Sequence, residues 1–190
     1  MRAKWAAMLT FENPINSLSA IGLALGALCG MAGTFVVHPH IQALLWAIDG
    51  AALVMAAALL TLKHFRSGKD VVAAGFLVFA IAEAVLMSGT AAGPVGSVPA
   101  FAAGTALWAL ALLLISIPRH FTMPVRLLGV VSAVLFAIVA VRIFWGEQLL
   151  PTSAPLPFFA YPVLVLTLIG WIWSLWSEGH NELSERRVLM

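Results

Sequence analysis

Two acidic side chains stand where acids are costly. Asp49 falls in the apolar run 41–62 and Glu83 in the apolar run 71–91. A charged Asp at the centre of a membrane helix costs roughly 2.5–3.5 kcal/mol on insertion scales. Such a residue is retained when it is protonated, paired or wetted. Measured from the outer ends of their runs, both acids lie about eight residues in, or ~12 Å deep at the helical rise. The runs are consecutive and antiparallel, so the acids share a layer. Two carboxylates facing one another in low dielectric cannot both ionise cheaply, and a shared proton or a bound cation would relieve them. The chemistry implied is the binding or passage of a small solute, ion or proton. The structural alternative is that each acid is a protonated hydrogen-bonder between helices, with Ser88, Thr90, Thr105 and Ser132 as candidate hydroxyl partners.

Arg142 joins this set as a third solute- or proton-binding candidate. It lies near the outer end of the run 125–145, within reach of snorkelling to the headgroups. It either does that, pairs with Asp49 or Glu83, or pairs with Glu147, five residues on.

The five histidines raise metal and haem chemistry. His38 and His40 flank Pro39 between the first two runs and are the candidates for an outer metal site. A zinc site needs three or four converging ligands, and the acids lie more than two helical turns below that loop. His64 and His120 each sit between a basic residue and Phe at an inner boundary, which is interfacial patterning rather than a haem-ligand arrangement. No metal site and no cofactor is therefore expected. Nor is a catalytic set legible: the chain has no Gly-x-Ser-x-Gly, no phosphate-binding loop and no dinucleotide fingerprint. Cys29 is the lone cysteine, so no internal disulfide can form.

The elements that must position these residues follow from composition. Of 190 residues, 62% are apolar and 9% charged, with a net charge of +2. Mean hydropathy is +1.02. Soluble domains are near half apolar and a quarter charged, so the solvent for this chain is lipid. The charge is too small and too diluted for a nucleic-acid binder. A membrane-crossing helix needs roughly 20 apolar residues. Six stretches qualify: 17–37, 41–62, 71–91, 99–117, 125–145 and 158–177. Short Gly- and Pro-rich separators force antiparallel neighbours. The expected fold is an all-α, six-helix transmembrane domain over 17–177. An amphipathic interfacial segment (1–16) precedes it and a polar tail (178–190) follows.

Lys and Arg orient the bundle. With the N-terminus inside, nine of the ten basic residues lie at the inner side and only Arg142 at the outer. Both termini are then cytoplasmic, in a membrane of the bacterial inner (plasma) type, with the basic side on anionic headgroups. Lys63-His64-Phe65 and Arg119-His120-Phe121 lie 56 residues apart and close the second and fourth runs, the pattern of three repeated hairpins. In length and hydropathy this layout resembles the HdeD-type acid-resistance membrane proteins, a likeness that transfers no residue.

Gly22, Gly26 and Gly30 share one face of the first run, where close backbone approach is favourable between membrane helices. That face is expected to receive an internal neighbour or a second protomer. Seven tryptophans fall toward run ends: Trp46, Trp108 and Trp145 at the outer side, Trp5, Trp171, Trp173 and Trp176 at the inner, as an aromatic belt. The leading functional expectation is a channel or transporter for a small solute or proton. A structural or accessory subunit, homo-oligomeric or docked to a membrane partner by the glycine face, is the alternative. A metal-dependent intramembrane enzyme is a third.

Overall fold

The computed structural model describes residues 14–90 and 92–188, by backbone alone at 94 and 179–188. Six long helices account for most of it: α1 Pro14–Phe35, α2 Pro39–Arg66, α3 Asp70–Thr90, α4 Val98–Ser116, α5 Met123–Phe144 and α6 Ala160–Val188. A single helical turn, Gly93–Gly96, links α3 to α4. Among the described residues there is no strand. All six helices are long and apolar enough to cross a membrane, α6 through its part Ala160–Glu178. The expected interfacial segment at the N-terminus lies largely outside the described residues.

Local chemistry sets the boundaries. α2, α4 and α5 each carry Pro in their first turn, where the missing N–H is not needed. α2 runs four residues beyond the apolar stretch, through Lys63, His64 and Arg66. Its polar last turn still makes good helix, and its basic groups suit the negative end of the macrodipole. Gly68 and Gly146, at φ 67° and 99°, turn the chain just past α2 and α5. Arg126 reaches back from α5 and donates to the Ser116 and Ile117 carbonyl oxygens, both at 2.8 Å. It thereby satisfies groups that the end of α4 leaves open.

The helices form a closed ring. Each packs on its neighbours in sequence, and α6 packs on α1, and among the described residues no helix crosses the middle. The outward faces carry Leu and Ile at helical spacing, such as Leu18, Ile21, Leu25 and Leu28 on α1, all well exposed. The ring interior is filled at one end and open at the other. The filling is aromatic: Phe76, Phe79, Trp108, Phe136 and Trp171 are all buried. Their rings meet mostly edge to face, Phe76 on Trp171 at 5.0 Å and Trp108 on Phe136 at 4.8 Å, the favoured geometry for aromatic pairs.

This placement corrects the reading of the tryptophans. Trp145, Trp173 and Trp176 point outward as belt residues do. Trp108 and Trp171 are instead interior, at 4% and 1% exposure, and Trp46 lines a cavity.

The glycine face of α1 is filled by α2. A Cβ on Gly22 would come within 2.8 Å of the Ala52 carbonyl oxygen and 2.9 Å of Ala56 Cβ. A Cβ on Gly26 would overlap Leu53. The neighbour on this face is internal.

Candidate functional site

The open end of the ring holds a cavity of about 630 Å³. Every helix except α5 contributes to its wall, together with residues 150–152 of the α5–α6 loop. Its mouth is bordered by exposed Pro39, His40, Thr90 and Thr152. Deeper in lie Asp49 from α2 and Glu83 from α3, both lining the same space. The common depth inferred for the acids therefore brings them to one cavity. They lie within electrostatic reach of one another.

Each acid has its own setting. Glu83 is 3% exposed, and Trp108 Nε1–H donates to its Oε1 at 2.9 Å. Its second oxygen receives no hydrogen bond from any described residue. The hydroxyls anticipated as partners are engaged elsewhere: Ser88, Thr90 and Thr105 donate to carbonyl oxygens of their own helices, and Ser132 meets Thr167 at 3.2 Å. Asp49 is half-buried and lies on the glycine face of α1. Its Oδ2 occupies space that a Cβ on Gly30 would approach to 2.7 Å. Gly30 thus makes room for a carboxyl as well as for a helix.

Tyr161, the only tyrosine in the chain, completes the polar floor. It lies within electrostatic reach of both acids, and its ring packs edge-on to Trp108 at 6.1 Å and against Phe136 at 5.7 Å. It stands at this depth because the α5–α6 loop dips into the ring. Leu149 and Pro157 are buried, Leu156 packs against the core, and Ala160 at the head of α6 is fully enclosed.

Arg142 is not brought to the cavity. Its Nε and an Nη fork onto Glu147 at 3.0 and 2.6 Å. This hydrogen bonding holds the Glu147 carboxyl below its usual range. Of the three partners weighed for Arg142, the nearest in sequence takes it, because five residues across the end of α5 let the fork close locally. The His38 and His40 rings lie 5.8 Å apart, tilted 44° to one another. Among the described residues no group of three or more His, Cys, Asp or Glu is placed to hold a metal.

At the closed end the two Lys/Arg-His-Phe triplets meet. The His64 and His120 rings contact edge to face at 4.8 Å. Lys69 Nζ donates to His120 Nδ1 at 2.9 Å, and Glu178 pairs with Lys63 at 2.5 Å and with His120 at 3.8 Å. Burial, and then the Lys69 ammonium, lower the His120 pKa against the pull of Glu178. His64 is 2% exposed with neither ring nitrogen hydrogen-bonded to a described residue. Between this cluster and Glu83 runs the aromatic filling, from Phe76 and Phe121 through Trp171 and Phe79 to Trp108.

Trp108 and Tyr161 are the site residues that sequence reasoning missed. The signal for Trp108 was depth. It stands ten residues into α4, about 15 Å along the helix, where a belt residue does not belong.

No family model, no curated protein and no solved structure matches this chain.

Proposed function

We propose that this chain is an integral membrane protein that binds a small solute or proton in the cavity and passes it across the bundle. The carrying observation is a single space, open at one end, with two carboxyls at its depth in an otherwise apolar layer. Ligand sites are concave and mostly apolar with a few convergent polar groups, and ionisable residues within spans mark solute or proton pathways. Asp49 and Glu83 are the binding groups in this reading. Trp108 orients Glu83. Arg142 belongs to the rim pair with Glu147.

The orientation is part of the proposal. Lys63, Arg66, Lys69, Arg119 and Arg126 gather at the closed end, which faces the cytoplasm of a bacterial inner membrane by the positive-inside rule. The cavity then opens to the outside. The accessory-subunit reading depended on the glycine face of α1 as a docking surface, and α2 lies on that face.

The test is proton flux into liposomes holding a pH dye, driven by a potassium diffusion potential. Purified protein should raise flux above that of empty liposomes. Glu83→Gln and Asp49→Asn should each lower it while the circular dichroism melt is kept. Flux equal to empty liposomes overturns passage of protons. Undiminished flux in both folded variants removes the acids from the pathway.

A further inference from the structure

The cavity wall specifies more than polarity. Among the described residues its two acids are accompanied by no Lys or Arg, and the one basic side chain there is His40, at the mouth. An anion would therefore meet two carboxyls and no counter-charge at depth. A neutral polar solute would need many donors and acceptors. Apart from the acids and the Tyr161 hydroxyl at the floor, those available are few and near the mouth, and the Gln42 amide nitrogen is already committed to the Gly33 and Val36 carbonyls. Calcium or magnesium calls for six or more oxygen ligands, whereas one of the four carboxyl oxygens here already accepts from Trp108, and no group of three or more His, Cys, Asp or Glu among the described residues is placed to hold a softer metal.

What remains is chemistry that wants negative charge and apolar surface together. Trp46 from α2, Phe101 and Trp108 from α4 and Tyr161 from α6 bring aromatic rings to the wall from three helices, and Met31 and Met87 add soft apolar surface. Aromatic faces attract cations through the ring quadrupole, more strongly when the cation is desolvated. The free oxygen of Glu83 and the Asp49 carboxyl supply the counter-charge. A volume of about 630 Å³ is in the range of small-molecule sites.

The geometry points to an organic cation with an apolar body, an amine or quaternary ammonium, as the solute of this cavity. The inference rests on the reading of the cavity as a solute site and narrows it to one chemical class. The cationic head sits between Asp49 and Glu83, and the body lies against the aromatic wall.

The experiment is equilibrium binding to the full chain in detergent, by titration calorimetry and tryptophan fluorescence. The probes are benzyltrimethylammonium and phenylacetate, similar bodies of opposite charge. The cation is expected to bind saturably, at least tenfold tighter than the anion, with a change in tryptophan emission. Glu83→Gln and Asp49→Asn should each weaken the cation at least tenfold and leave the anion unchanged. Trp46→Leu, which keeps both acids, should also weaken the cation. Equal binding of the two probes, no saturable cation binding, or undiminished cation binding in a folded acid variant overturns the inference. Acid-dependent proton flux without cation binding sinks the inference alone, leaving the solute or proton site standing. Loss of both sinks both.

Discussion

At the residue scale the molecule turns on how Glu83 is kept. A buried carboxyl needs a donor, and Trp108 supplies one from the neighbouring helix. Removing one member of a buried hydrogen bond exposes the other to its full desolvation cost, about 1–3 kcal/mol. Trp108→Phe keeps the ring and deletes the N–H, so its unfolding free energy in detergent should fall by that much, read as a lower thermal midpoint. Glu83→Gln retains an acceptor oxygen for the indole and should be milder. Equal midpoints for Trp108→Phe and the native chain would show that the bond contributes nothing. His120 gives a second prediction at this scale. Its folded pKa is below the ordinary value of 6.5, so the unfolded chain takes up the proton first as pH falls. Its contribution is complete above pH 6.5 and is lost as pH drops below that toward the folded value. Melting midpoints should decline from pH 7.5 to 5.5, and less steeply in His120→Gln. Identical slopes would remove His120 as the cause.

At the element scale the decisive contact is α1 on α2, because it both holds α1 in the ring and seats Asp49. The three glycines are not equivalent there. A methyl on Gly22 meets the Ala52 carbonyl oxygen, which is backbone and cannot step aside, whereas a methyl on Gly30 meets the end of the Asp49 side chain, which can. Gly22→Ala should cost about 1–3 kcal/mol, the usual range for overpacking, read as a lower melting midpoint. Gly30→Ala should melt near the native value yet weaken benzyltrimethylammonium binding severalfold, because the carboxyl is displaced. The reverse ranking of the two midpoints would mean that α1 does not lie on α2 in this register.

The six helices themselves were legible in the sequence, since long apolar runs broken by Pro and Gly have few other outcomes. The shared depth of Asp49 and Glu83 was legible too, from residue counts alone. What the sequence withheld was direction around each helix. Lipid and protein interior are equally apolar, so no periodicity separates the faces, and Trp108 passed for an interfacial residue. The dipping α5–α6 loop that brings Tyr161 to the acids also left no hydropathy signal.

For the whole molecule, the ring has two unlike ends. One is plugged by aromatics packed mostly edge to face and capped by Lys63, Lys69, His120 and Glu178. The other opens to the acids. If the basic end faces the cytoplasm, a cation coming from outside moves toward the acids along the direction of an inside-negative potential, which is worth ~2.3 kcal/mol per charge per 100 mV over the full span. The orientation can be checked without knowing the solute. In a Cys29→Ala background, Thr152→Cys places a thiol at the cavity mouth and Ser67→Cys places one beside the basic end, both at exposed positions. A membrane-impermeant maleimide added to intact cells should label the first and reach the second only after permeabilisation. The opposite pattern would turn the cavity toward the cytoplasm. The acids would then meet solutes leaving the cell rather than entering it.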